Sequence, residues 1–172
     1  MKVTQKSLFY SLLITMIWGF QSCSIYTFSG VNTNATTIFV NNFLNKSGGG
    51  PPSLAQDFTE RLKEYYQRNS KLKIANSQEQ GDIVLEGNIV RYNVQPIAAT
   101  GLDQASQNRL NIGVQVDFKD ATDDSKNFEA RSFSFYADFP ANQTLSQVEN
   151  ELIELIFEQI SLDIFNETVA TW

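Results

Sequence analysis

The chain is 172 residues long, carries a formal net charge of −6, and contains one cysteine and no histidine. That length suits one ordinary domain behind a short leader, and a lone cysteine means its core must hold without an internal disulfide. The acidic balance argues against nucleic-acid binding, which needs a basic footprint; the missing imidazole removes Ser-His and Cys-His nucleophile pairs and the usual zinc ligand.

The N-terminus predicts export. Lys2 and Lys6 precede a mainly apolar run over residues 8–20. A hydrocarbon core takes about 20 apolar residues to cross, so this shorter run reads as a signal segment removed at maturation. Phe20-Gln21-Ser22-Cys23 has the form of a lipobox. There the cysteine sulfur takes an S-diacylglycerol group and the freed amine an N-acyl chain. Each buried methylene contributes about 0.8 kcal/mol, so two or three chains hold the protein firmly on a membrane. Residues 1–22 are the expected signal peptide, 23–35 a lipidated tether and 36–172 the folded domain. Once acylated, Cys23 is unavailable as a nucleophile or metal ligand, and no cofactor beyond the covalent lipid is expected.

Residues 36–43, β-branched and aromatic, predict a strand. Gly48-Gly49-Gly50-Pro51-Pro52 precedes a helix as phosphate loops do, but lacks their Lys-Ser/Thr ending and reads as a linker turn. Ser53 with Gln56 offers a cap, and Leu54, Phe58, Leu62, Tyr65 and Tyr66 recur at helical spacing, so residues 53–69 predict a helix. Asp57 with Arg61, and Glu64 with Arg68, stand at i,i+4 on it. Apolar residues over 82–95 change phase around Gly87, which predicts a bulged strand. Leu110, Ile112, Val114, Val116 and Phe118 then alternate with polar residues, the pattern of a strand with one buried face.

Residues 120–127 predict a turn and 128–136 the returning strand. Asp120, Asp123 and Asp124 lack the glycine and terminal glutamate of a calcium loop, so they read as a solvated hairpin tip and no metal site is expected. Residues 144–170 predict a long helix with two candidate caps, Thr144 with Gln147 and Ser146 with Glu149. Its broad apolar arc suits either a helix that partly meets another surface or one that lies across the sheet and is covered by the first helix as well. The order β-α-β-β-β-α predicts an α+β two-layer sandwich, with two helices on one face of a four-stranded mixed sheet whose first two strands are parallel.

Several strings, in this order, resemble the LPS-assembly lipoprotein family (LptE). They are Cys23-Ser24-Ile25-Tyr26-Thr27-Phe28-Ser29-Gly30 after the lipobox, Phe58-Thr59-Glu60-Arg61-Leu62 in the first helix, and Gly81-Asp82-Ile83-Val84-Leu85-Glu86-Gly87 entering the second strand. Asn108-Arg109-Leu110, Phe135-Tyr136-Ala137-Asp138-Phe139, and Val148-Glu149-Asn150-Glu151-Leu152-Ile153 with Asp163-Ile164-Phe165-Asn166 complete the set. The resemblance implies a lipoprotein without catalysis, anchored to the outer membrane and facing the periplasm. Such a protein plugs the lumen of the LptD barrel, helps that barrel assemble, and assists lipopolysaccharide on its way to the outer leaflet. It also implies basic residues that touch lipopolysaccharide phosphates. Arg91, Arg109, Lys119, Lys126 and Arg131, on or beside the sheet strands, are the available candidates; solvated strand-edge charge is the ordinary alternative for each. The loops at residues 96–108 and 135–140, mixing Gly, Asn, Gln and aromatics, are the expected barrel contacts. The competing reading is a periplasmic lipoprotein that binds a small apolar ligand or a peptide between helix and sheet, without a barrel.

Overall fold

The computed structural model describes residues 33–97 and 106–170. The signal segment, Cys23, most of the tether and the heart of the 96–108 segment lie outside the described residues. The elements follow as β1 (Thr37–Val40), β2 (Leu44–Asn45), α1 (Leu54–Asn69), β3 (Lys73–Ile74), β4 (Ile83–Ile97), β5 (Gln107–Asp120), β6 (Phe128–Pro140) and α2 (Leu145–Thr168). The sheet runs in the order β3-β1-β4-β5-β6, with β2 beside β4. β1 is parallel to β3 and β4, β2 is parallel to β4, and β5 is antiparallel to both β4 and β6.

The α+β class and the parallel crossover agree with the sequence reading, but the sheet has six strands rather than four. The predicted 36–43 strand breaks after Val40, and the chain rejoins β4 as the two-residue β2. Lys73 and Ile74 add a second short edge strand. Two-residue strands carry no periodicity of their own. They form because an already ordered neighbour offers unpaired backbone groups, as when Ala75 N–H donates to the Ile38 carbonyl at 2.8 Å.

Both helices bury their apolar faces against one side of this sheet. Phe58 lies edge-on between Phe43 and Phe157, with ring centroids 4.9 Å apart in each pair. Tyr65 and Tyr66 both meet Phe165 of α2. The Tyr66 hydroxyl, fully buried, hydrogen-bonds Thr168 Oγ1 at 2.6 Å, and burial raises the pKa of its phenol despite that bond. Alternate β5 residues Leu110, Ile112, Val114, Val116 and Phe118 are all fully buried beneath the helices.

Local devices differ from expectation in three places. Ser53 adopts helical φ and ψ and its side chain caps nothing; Leu54 N–H bonds the Pro51 carbonyl instead, so the turn at the prolines starts α1. For α2, Gln147 Oε1 accepts the Thr144 N–H at 2.9 Å, which selects the first of the two candidate caps. The phase change in β4 comes from a register shift between Ile89 and Arg91, not at Gly87. Gly87 serves a different need: a Cβ there would stand 2.2 Å from the Gln115 carbonyl oxygen and 2.7 Å from the Phe43 ring. The linker-turn reading holds, with Gly48 and Gly50 at φ +76° and +85°.

The hairpin tip is less solvated than predicted. Asp120 is 1% exposed, and its Oδ1 accepts the Thr122 N–H and hydroxyl at 2.7 and 2.6 Å while Oδ2 accepts the Thr33 hydroxyl at 3.2 Å. Asp123 and Asp124 remain at the surface. Among the described residues no group of three or more His, Cys, Asp or Glu side chains is placed to hold a metal.

Candidate functional site

One face of the sheet is covered by helices, and among the described residues the other is not. Side chains alternate across a strand, and the β5 residues between the buried ones are Arg109, Asn111, Gly113, Gln115, Asp117 and Lys119. Register brings Asn88, Arg91, Asn93 and Gln95 beside them from β4, and Ser132, Ser134, Tyr136 and Asp138 from β6. The result is a floor of amides and hydroxyls on a rigid sheet.

The five candidate cations do not form one patch. Arg91 stands directly across from Gly113, near the middle of the open face. A Cβ at Gly113 would lie 3.3 Å from Arg91 Cβ and 3.6 Å from its Nη1, so the arginine side chain lies against the β5 backbone at the position of the glycine. Among the described residues no carboxylate pairs with Arg91.

Arg109 shares the face but is already committed. Its Nε and Nη2 donate to the two Asp138 oxygens at 2.7 and 2.9 Å, and its guanidinium lies 3.5 Å above the Tyr136 ring centroid. Those hydrogen bonds hold the Asp138 carboxyl below the usual carboxylate range and raise the arginine. Lys119 is exposed at the far end of the face, beside a cleft of about 480 Å³ that Val84, Phe118 and Phe128 also line. Lys126 sits in the 3-10 turn Asp124–Lys126, where its charge adds to the lowering of Asp123 caused mainly by the Ser125 hydrogen bonds.

Arg131 belongs elsewhere. It is registered with Val116 on the helix side, lies over the Phe128 ring at 4.6 Å, and forms an ion pair with Glu167 of α2. The positive φ of Ala130, 50°, accompanies the register shift that precedes it. Arg91 and Arg109 therefore share the open face, Lys119 marks its end, and Arg131 pins the edge of the sheet to the helix. Residues 135–140 form the end of β6 instead of a loop.

Sequence reasoning missed the polar floor itself. Asn111, Gln115, Ser132 and Ser134 stand in the chain only as the polar half of an alternation, although that half describes a surface as fully as the apolar half describes a core. Asn111 is the most informative of them: its Oδ1 is buried on this face without a hydrogen-bond partner.

Tyr92 fixes the helix-bearing side at the same level. Its hydroxyl donates a short hydrogen bond to Glu149 near the start of α2, and burial, with that carboxylate's bond and charge, raises its pKa. Its ring lies against Gly49 and Gly50, where a Cβ would approach it to 3.1 Å. The helix–sheet interface is filled by packed side chains along this line.

The arrangement is an α+β sandwich that presents a polar sheet face on one side and a cleft of about 550 Å³ between its two helices on the other. A family model described as LptE, Lipopolysaccharide-assembly, matches residues 35–168, and the chain belongs to that family. Among solved structures it is similar to a hypothetical protein from Chlamydia trachomatis, with a TM-score of 0.52 and 8% identity over 77% of this chain and 96% of that one. It is also similar to a minor lipoprotein from Acinetobacter baumannii, with a TM-score of 0.48 and 13% identity over 77% and 91% of the two chains. At 8% identity the likeness to the Chlamydia trachomatis protein is one of fold. No curated protein matches the sequence.

Proposed function

We propose that this protein is an outer-membrane lipoprotein that plugs the LptD barrel, helps it assemble and assists lipopolysaccharide transport to the outer leaflet. The observation that carries the reading is the family match across the whole sandwich, from residue 35 to residue 168. In this reading residues 1–22 are removed, Cys23 carries the N-acyl and S-diacylglycerol chains, residues 23–35 form the tether, and the domain faces the periplasm. Among the described residues no helix is long and apolar enough to cross a membrane; in this reading the lipid supplies the attachment. The role needs contact and no catalysis.

The open face suits a wet barrel lumen, because its amides and hydroxyls exchange hydrogen bonds with polar walls and with bridging water. Arg91 is the cation on that face best placed for a lipopolysaccharide phosphate, since Arg109 is neutralised by Asp138. Purification of the full chain from detergent-solubilised membranes, followed by mass spectrometry, tests the reading. A large outer-membrane barrel protein should accompany it, and intact mass should place two or three acyl chains on Cys23. Recovery of a small apolar molecule or a peptide, with no barrel, would replace the plug with the ligand-binding alternative.

A further inference from the structure

The tether joins the domain at a well-held point. The Thr33 hydroxyl donates to Asp120 Oδ2 at 3.2 Å and accepts the Ala35 N–H at 3.1 Å, while the Thr36 N–H and hydroxyl both reach Asp82 at 2.8 Å. Asp82 and Asp120 also line the cleft of about 480 Å³ at this end of the sheet. Thr33 therefore stands at the rim of that cleft, and the chain before it starts from there.

The cleft has an apolar lining that is only partly covered. Phe118 is fully buried and stacks on Phe128, but Phe128 and Val84 keep part of their surface open. An apolar side chain seated there would remove that surface from water. The charged groups of the lining are Asp82, Asp120, Asp124 and Glu129 against the single Lys119, a balance that repels phosphate and other anions. The occupant this cleft suits is apolar or aromatic and carries no negative charge.

The tether supplies that chemistry. Residues 24–32 read Ser-Ile-Tyr-Thr-Phe-Ser-Gly-Val-Asn, with no charged side chain. Alternate residues of an extended segment share a face, which would set Tyr26 and Phe28 on one side. Phe28 stands five positions before Thr33, and five extended residues span up to about 17 Å, so its ring is within reach of the cleft that Asp120 lines.

We infer that residues 25–28 fold back onto the domain and that the Phe28 ring seats in this cleft against Val84 and Phe128. Docking also orients the molecule. Cys23 lies five positions before Phe28, so at most about 17 Å of chain would separate the cleft from the anchor. The end of the sandwich that bears Asp82 and Asp120 is then held at the membrane. That orientation rests on the lipid-anchored reading proposed above, whereas the docking itself does not.

Maleimide labelling of the full-length protein in membranes, mapped by peptide mass, tests the docking. Val84→Cys should label slowly with the native tether, and adding Phe28→Ala should speed it by about tenfold or more, because labelling follows the open fraction and the burial of one ring is lost. Val94→Cys, on a residue 41% exposed toward the other end of β4, should label at one rate with either tether. Chymotrypsin should likewise cut after Phe28 more slowly in the unsubstituted chain than in Val84→Glu, which places a charge in the cleft and whose fold circular dichroism checks. Labelling of Val84→Cys as fast as Val94→Cys, or equal chymotrypsin cutting in the folded Val84→Glu variant, would overturn the docking. So would slow labelling that Phe28→Ala leaves unchanged, which would assign the cleft to another occupant such as a lipid or a barrel segment. Labelling of Cys23 itself, mapped separately, decides the lipid anchor, so the two readings fail by different signals.

Discussion

The two faces of β5 divide the work of this protein. On one, five consecutive inward residues from Leu110 to Phe118 are fully buried beneath two helices. On the other, Arg109, Asn111, Gln115, Asp117 and Lys119 meet only their strand neighbours. The backbone is the same and the residues interleave one by one. What differs is the layer above them: apolar contact with helices supplies stability on the first face, and among the described residues nothing covers the polar floor of the second.

The largest break in this contrast should come from the covered face. Phe118→Ala removes a fully buried ring that stacks on Phe128 at 5.4 Å, and should lower unfolding free energy by about 3–5 kcal/mol in urea titration. Gly87→Ala tests the same face by overpacking, because its new methyl would press on the Gln115 backbone oxygen. A loss of about 1–3 kcal/mol is expected, with local displacement of Phe43.

Smaller, pH-dependent effects belong to the exposed side. The Asp82 carboxylate accepts the Thr36 N–H and hydroxyl at 2.8 Å each and the Thr37 N–H at 3.0 Å, tying the start of β1 to β4. Those bonds pull its pKa down to about 2. A depressed folded-state pKa contributes stability above the unfolded value, near 4, that is lost as pH falls toward 2. Thermal melts of the intact protein should therefore fall more steeply across that window than those of Asp82→Asn. Equal slopes would mean that these bonds do not couple protonation to folding.

The smallest effect on folding should come from the centre of the open face. Arg91→Glu should change stability by no more than about 0.5 kcal/mol. It should weaken binding to lipopolysaccharide vesicles by about tenfold or more if Arg91 meets phosphate. Arg131→Glu should show the reverse order, disturbing the contact with Glu167 while sparing the open face. A variant pair that loses binding equally would dissolve the distinction between the two arginines.

Much of the covered face is legible in the amino-acid order. A period of two along residues 110–118 and helical spacing over residues 54–66 arise from local geometry, so the sandwich and its core follow directly. Short strands are not legible, because β2 and β3 exist only where β4 and β1 offer unpaired edges. Gly87 points to a bulge that lies elsewhere, because a glycine in a strand signals either a kink or a close approach, and sequence does not distinguish them.

The candidate site is legible only as a set of charges. Arg91, Arg109 and Arg131 look alike in the chain. Their different states depend on a facing glycine, on Asp138 and on Glu167, all distant in sequence and brought near by strand register and helix docking. The sequence by itself determined the acidic, histidine-free composition, the export-like N-terminus, the helices and the long antiparallel strands, since these rest on residue chemistry and short-range periodicity. Only the tertiary structure decided, among the described residues, which of these arginines lacks a carboxylate partner, which face lies bare and which strand ends the sheet, because each depends on what the fold sets beside it.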